Sequence, residues 1–113
     1  MDTRLNAAVE AAALIRRAEA DGGFGAVLRK GDPERGSLLI VVRGRGRFVA
    51  CLERNVGAGG RYGWTAAGPA DSDSEPLLAE FLGRRVRFDE DLWLIELDIA
   101  QPERFIAETT LEG

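Results

Sequence analysis

Three consecutive acidic residues, Asp89, Glu90 and Asp91, are the most obvious candidate for chemistry in this sequence. Carboxylates are preferred ligands of Mg²⁺, and two of them held close together can work as a general acid and a general base. Three adjacent residues do not converge easily on one ion, and three arginines precede them. These arginines are Arg84, Arg85 and Arg87. We expect the six charges to pair locally, so a magnesium-dependent enzyme is the third of our three functional hypotheses.

Histidine is absent from the sequence, and cysteine occurs once, as Cys51. Without histidine, Ser-His-Asp and Cys-His catalysis are excluded, and the commonest general base and metal ligand is missing. Cys51 lies between Ala50 and Leu52 in a predicted strand, where a free cysteine behaves as a small apolar residue. We therefore predict no catalytic residue, no metal site and no cofactor, and favour a protein that is not an enzyme.

A second candidate is the run Arg43-Gly44-Arg45-Gly46-Arg47, which puts three arginines at a predicted hairpin tip. Side chains two residues apart in a strand share a face, so these arginines could clamp a phosphate group. Aromatic residues able to stack on bases follow in the sequence, namely Phe48, Tyr62 and Trp64. The chain as a whole is acidic, with a net charge of −4. An anion or nucleic-acid binder is therefore our second hypothesis.

The leading hypothesis is a protein-interaction or homodimerising module, because charged and aromatic residues are plentiful although no catalytic set can be assembled. The expected surface combines two arginines of the first helix with a turn and with the acidic segment. Its candidate binding residues are Arg16, Arg17, Lys30, Asp32, Asp89, Asp91 and Trp93. The partner is either an unknown protein or a second copy of this chain.

Charge is distributed unevenly along the chain. Residues 29–61 hold eight basic and three acidic residues, whereas residues 71–113 hold four basic and twelve acidic ones. The simpler interpretation is that these two parts face each other in the fold or in a dimer. The alternative is that the basic part binds an anion.

The elements that must position these residues follow from hydrophobic spacing. Apolar residues at helical spacing predict one helix over residues 3–20 and a second from Ser74. Four strands lie between the helices, and a last strand covers Leu92–Ile99. The most apolar strand, Ser37–Arg43, is apolar on both faces and is therefore expected at the centre of the sheet. The order α-β-β-β-β-α-β predicts an α+β fold, with an antiparallel sheet of four to five strands and both helices on one face.

At 113 residues the chain is expected to form a single domain, residues 1–113. The polar segment 68–74 is expected to be a mobile loop, and residues 100–113 a tail that frays. No apolar run approaches the roughly 20 residues of a membrane helix. The N-terminus also lacks the pattern of a signal peptide, and one cysteine cannot form an internal disulfide. We therefore predict a cytoplasmic protein that does not associate with membranes.

Several segments together resemble one protein family. They are Arg16-Arg17, the run from Gly23 to Pro33, Gly36, and the run from Arg87 to Glu96. This set resembles the domain-of-unknown-function 1491 family of small bacterial proteins, mostly from alphaproteobacteria, which are similar in length to this chain. The resemblance covers residues 14–99. Its most specific parts are the Arg-Lys-Gly-Asp-Pro turn and the Arg-Phe-Asp-Glu-Asp-Leu-Trp segment.

The sequence departs from the family pattern at the glycine-rich loop 54–63 and at the tail around residues 102–105. Nothing is carried over to those two regions. The resemblance implies the fold class and the compartment, but no activity.

Overall fold

The structure is a computed structural model that describes residues 6–56, 62–70 and 74–110. The elements in chain order are α1 (Ala7–Ala20), β1 (Phe24–Arg29), β2 (Leu38–Gly44), β3 (Arg47–Val56), β4 (Tyr62–Ala67), α2 (Glu75–Phe88), β5 (Trp93–Asp98) and α3 (Pro102–Thr109). The α+β class and the predicted order of the first seven elements are confirmed, and α3 follows as an eighth. None of the described helices is long and apolar enough to cross a membrane.

The strands form one sheet in the order β1-β5-β2-β3-β4. β2 pairs antiparallel with β3, and β3 with β4. β5 enters between β1 and β2, antiparallel to β1 and parallel to β2. The sheet is therefore mixed, and the expectation of a purely antiparallel sheet is wrong at one pair. The reason is that α2 returns the chain along the sheet before β5, so that β5 runs in the same direction as β4 and β2.

Strand β2 lies at the centre of the sheet and is buried on both faces. On one face Leu38, Ile40 and Val42 pack with residues of α1 and α3. On the other face Leu39 and Val41 pack with residues of α2. The expectation that both predicted helices cover one face is therefore wrong. Because successive strand residues point to opposite faces, a strand that is apolar throughout needs a cover on each side.

Helix α1 begins and ends with ordinary capping interactions. The Asn6 side chain accepts a hydrogen bond from the Val9 N–H at 2.9 Å. The chain leaves the helix through Gly22, whose φ of 86° favours glycine. The fully buried residues of the helix are Ala7, Ala11 and Ala18. Because alanine is small, the helix can lie close to the sheet.

The C-terminal tail is helical over residues 102–109 rather than extended. Phe105 and Ile106 pack against the same core as α1. Thr110 then forms a parallel bridge with Trp64, at the outer edge of β4. Residues 111–113, and residues 71–73 of the predicted mobile loop, lie outside the described residues, so fraying and mobility stay predictions.

Cys51 provides a test of the α2 face of the core. Its side chain is fully buried in the cluster beneath α2, and this burial raises the pKa of the thiol to about 12. At pH 8 we expect Ellman's reagent to label the native protein at least about 100-fold more slowly than the urea-unfolded chain. Rapid labelling of one thiol per native chain would show that this core is open.

Candidate functional site

The turn around Asp32 and the acidic segment before β5 come together in the structure. The Asp32 N–H donates to the Asp91 carbonyl oxygen at 3.0 Å. The indole Nε1–H of Trp93 donates to the Asp32 carbonyl oxygen at 2.7 Å. The Trp93 N–H donates to the Ser37 carbonyl oxygen at 2.8 Å, where the parallel pairing of β2 and β5 begins. We call residues 31–37 and 89–93 together the Asp32 junction.

Two glycines allow the backbones of the Asp32 junction to come this close. A Cβ atom on Gly31 would overlap the carbonyl oxygen of Asp91, and one on Gly36 would overlap the same oxygen. Trp93 fills the space beneath them and is only 4% exposed. It is therefore a core residue that anchors the turn.

The carboxylates of the Asp32 junction bind the backbone of their own turns. An oxygen of Asp32 accepts from the N–H groups of Glu34 and Arg35 at 2.9 and 2.8 Å. These hydrogen bonds hold the pKa of Asp32 below its ordinary value. An oxygen of Asp89 accepts from the Asp91 N–H at 3.1 Å. Both are short-range turn interactions of the kind that Asp favours.

The six charges at residues 84–91 do not pair with one another as expected. Arg84 pairs with Glu80 one helical turn away, at 2.9 Å. Arg85 reaches across to Glu53 on β3, at 2.6 Å. These arginines instead stabilise α2 and its packing on the sheet, which leaves the acidic segment without an ion pair in the described structure. No group of three possible metal ligands occurs in the described part of the chain.

Arg16 and Arg17 lie at the far end of α1 from the Asp32 junction. The junction contacts the start of that helix, where the N–H of Ala8 donates to the Pro33 carbonyl oxygen at 2.9 Å. At 1.5 Å per residue, Arg16 is about 12 Å further along the helix. The candidate binding residues of the sequence analysis are thus divided between two places.

Arg17 borders a groove of about 420 Å³ between α1 and α3. Its guanidinium lies over the ring of Phe105, 5.0 Å from the ring centre. Arg104 also lines the groove and pairs with Glu108 at 2.7 Å. Asp21 contributes a second acidic group, so the lining carries both signs of charge.

The arginine hairpin does not form a clamp. Arg43 binds both oxygens of Glu75 at 2.9 and 3.0 Å, and its Nε donates to Glu96 at 2.9 Å. These pairs join the basic middle of the chain to its acidic C-terminal part, and they hold the pKa of Glu75 below its ordinary value. Arg45 has a φ of 53° and occupies the two-residue turn, whereas Arg47 starts β3. The three side chains therefore do not share a strand face.

The largest exposed apolar feature on a strand is one that the sequence analysis did not select. β1 is an edge strand, and Phe24 and Leu28 are 57% and 49% exposed. Phe24 and Ala26 lie opposite Asp98 and Glu96, on the α2 side of the sheet.

Leu28 lies on the same side, and the packing beneath α2 leaves this part of β1 uncovered. Leu28 is the extra residue of a bulge, opposite Leu94 together with Arg29. Leu94 packs beneath α2, but among the described residues no β1 side chain belongs to that cluster. We call Phe24, Ala26 and Leu28 the β1 ledge.

The spacing of Phe24, Ala26 and Leu28 in the sequence was a signal that they share one face. This spacing does not predict that β1 lies at the edge of the sheet. That position results from the insertion of β5 between β1 and β2. In any strand order that places β1 inside the sheet, β1 would have a hydrogen-bonded neighbouring strand on each side.

The close backbone contact at Gly31 predicts a strong effect of one methyl group. We expect Gly31→Ala to lower the free energy of unfolding by about 2–4 kcal/mol, because the Asp91 carbonyl oxygen cannot move without breaking the Asp32 junction. The matched control is Gly83→Ala inside α2, where the nearest atom to the new Cβ is 3.6 Å away. That substitution should raise the free energy of unfolding by about 0.5–1 kcal/mol. Urea unfolding of both variants measures these changes in stability. Equal effects of the two substitutions would contradict the close backbone contact between Gly31 and Asp91.

The lowered pKa of Asp32 predicts part of the acid sensitivity. A carboxyl whose pKa is lower in the folded than in the unfolded chain stabilises the fold above its ordinary value of 3.8. This stabilisation is lost as the pH falls through the lower, folded value. Asp32→Asn keeps an oxygen acceptor for Glu34 and Arg35 but cannot titrate.

We therefore expect the Asp32→Asn variant to lose less stability than the parent chain between pH 5 and pH 2, measured by urea unfolding at each pH. Part of the loss should remain, because Glu75 also has a lowered pKa. Asp32→Ala, which has no acceptor, should be less stable at every pH. Identical pH dependence of the parent chain and Asp32→Asn would rule out this role.

Comparison with known proteins points to one family. The model of the family described as "Protein of unknown function (DUF1491)" matches residues 5–107. No curated protein matches the chain.

Solved structures agree with the family match. A crystal structure of a DUF1491 family protein from Caulobacter crescentus CB15 is 31% identical, with a TM-score of 0.77, covering 86% of this chain and 90% of that one. An NMR structure of a DUF1491 family protein from the same organism is 30% identical, with a TM-score of 0.76, covering 99% and 100%. A solution structure of an A. tumefaciens protein is 31% identical, with a TM-score of 0.67, covering 85% and 86%. The resemblance noted in the sequence is thereby confirmed, and the chain belongs to the DUF1491 family of proteins of unknown function.

Proposed function

We propose that this chain is a non-enzymatic protein-interaction module, and that it receives an extended strand of its partner along the free edge of β1. The observation that carries the proposal is the β1 ledge: apolar side chains exposed on an edge strand whose first charged residue is Arg29. Natural edge strands are usually protected by lysine, proline, a cover or a bulge, and on β1 the bulge at Leu28 lies near the C-terminal end of the strand. An edge left apolar over most of its length is typical of a binding surface.

The backbone of β1 supports the same proposal. In an antiparallel pair, alternate residues direct their N–H and C=O groups away from the partner strand, so half of these groups on β1 face outward from β5. An added strand would satisfy them, while the β1 ledge would supply apolar contact on one face. The opposite edge of the sheet is different, because Thr110 already bridges to Trp64 on β4.

The position of β1 on α1 makes the edge a rigid template. Gly25 lies against Leu97 and Ile15, so that a Cβ atom on it would come within 3.0 Å of both side chains. Helix α1 therefore covers β1 at Gly25, although Val27 on the same face is 42% exposed. On the α2 face, Phe24 and Leu28 are both exposed. A strand fixed in this way needs little reordering to accept a partner.

The residues selected from sequence contribute to the proposed surface unequally. Lys30 is exposed immediately after β1, where it borders the edge. The Asp32 junction lies just after β1 and holds the end of this strand in place, so its residues Asp32, Asp89 and Trp93 contribute indirectly. Arg16 is exposed on α1 and lies outside the proposed contact.

The other two hypotheses receive less support from the geometry. An anion clamp would need Arg43, which already binds Glu75 and Glu96. A magnesium enzyme would need converging carboxylates, and Asp89 binds the backbone of its own turn. For the compartment we propose the cytoplasm, where the single thiol of Cys51 would stay reduced.

Displayed random decapeptides provide the test, with two matched variants of the full chain. Ala26→Lys adds a charge to the β1 ledge, and Ala66→Lys makes the same change at an exposed alanine of the other edge strand, β4. Peptides selected on the parent chain should bind Ala66→Lys with unchanged affinity and Ala26→Lys at least tenfold more weakly. Their amide chemical-shift changes should centre on β1.

Two results would contradict the proposal. One is selected peptides that bind Ala26→Lys and the parent chain equally well. The other is shift changes that centre on the groove between α1 and α3 and leave β1 unaffected. Thermal melts of both lysine variants verify beforehand that each remains folded.

A further inference from the structure

We infer that the strand received at the β1 edge is β1 of a second copy of this chain, an inference that rests on the proposed function. Two identical edge strands related by a twofold axis perpendicular to them pair antiparallel. The two sheets would then join into one continuous sheet of ten strands. The symmetric contact needs only what β1 itself presents.

The side chains of β1 select one register. Residues that face each other across an antiparallel pair lie on the same side of the sheet. Phe24, Ala26 and Leu28 share the α2 side, and all three are paired with one another only when the twofold axis passes beside Ala26. In this register Phe24 of one copy lies opposite Leu28 of the other, and the pair occurs twice. Alanine at the axis is small enough for the two strands to approach there.

The charges flanking β1 agree with the antiparallel arrangement. Glu19 and Asp21 precede the strand, and Arg29 and Lys30 end it. Glu19, Asp21 and Lys30 are exposed. In the register centred on Ala26, the basic end of β1 in one copy lies beside the acidic end of β1 in the other. A parallel arrangement would instead place acidic beside acidic and basic beside basic.

Arg29 also explains why the pairing is confined to one stretch. Its Nη1 donates to the Leu92 carbonyl oxygen at 2.6 Å, and the pairing with β5 shifts by one residue between Val27 and Arg29. The regular part of β1 is therefore short. An interface built on it is smaller than a standard protein interface, and we expect a Kd on the order of micromolar.

Sedimentation of the full chain tests the stoichiometry. Between about 1 and 500 µM we expect a reversible shift from monomer to dimer, a range that brackets the expected Kd. Ala26→Lys should stay monomeric throughout, whereas Ala66→Lys should dimerise like the parent chain. A dimer that Ala26→Lys leaves intact would overturn the inference, because the contact would lie elsewhere.

Cysteine cross-linking tests the register. Ala26→Cys should form a disulfide-linked dimer under mild oxidation, because the two introduced thiols meet at the axis. Ala66→Cys is the matched control and should form at least tenfold less disulfide-linked dimer. Buried Cys51 is present in both variants. Phe24→Cys mixed with Leu28→Cys should cross-link, and neither should do so alone. Equal cross-linking of Ala26→Cys and Ala66→Cys would overturn the register.

The two proposals fail in different ways. A chain that is monomeric at every concentration, but whose selected peptides still bind at β1, overturns the second-copy inference and leaves the proposed function in place. A chain that is monomeric and whose peptides bind Ala26→Lys normally overturns both.

Discussion

The hydrogen bond from the Trp93 indole to the Asp32 carbonyl oxygen is the interaction on which the rest of this structure depends. It fixes the turn after β1 against the first residue of β5. The same turn offers the Pro33 carbonyl oxygen to the first turn of α1, and Ser37 starts the parallel pairing of β2 with β5. One small region thereby sets the position of a helix and the register of two strands. Gly31 and Gly36 occur there because any side chain would separate the two backbones.

Several residues selected as binding candidates from the sequence have structural roles in the fold. Asp32, Asp89 and Trp93 look like a binding set in the sequence. In the structure, the Trp93 indole and one oxygen each of Asp32 and Asp89 bind the chain's own backbone. Arg43 likewise joins the central strand to α2 and β5 through Glu75 and Glu96. Arg43 and Arg85 are thus engaged in ion pairs within the molecule. The surface that we propose for a partner is an apolar strand edge with Lys30 at its end and Asp21 nearby.

Membership of the DUF1491 family brings a fold shared with proteins from Caulobacter crescentus and A. tumefaciens, but no activity. The proposal of an interaction at the β1 edge therefore depends on this chain's own surface. Its physical basis is the contrast between the two edges of one sheet. At β4 the chain's own C-terminal segment approaches through Thr110, whereas β1 lies against α1 at Gly25 and exposes Phe24 and Leu28 on the opposite face.

The sequence by itself determined the local structure. The spacing of apolar residues located α1, α2 and all five strands, and the two-faced apolar pattern of β2 placed it centrally. The lack of histidine excluded the familiar catalytic sets. These properties depend on neighbours along the chain, so a reading of the sequence could find them.

Only the tertiary structure decided which strand lies at the edge, that β5 runs parallel to β2, and that the helices lie on opposite faces. It also decided that Arg85 pairs with Glu53 across 32 residues rather than with the adjacent carboxylates. These outcomes depend on contacts between distant segments, whose alternatives have the same local pattern. The Asp32 junction selects among them, since its backbone hydrogen bonds and two glycines accept one arrangement of the turn, β2 and β5.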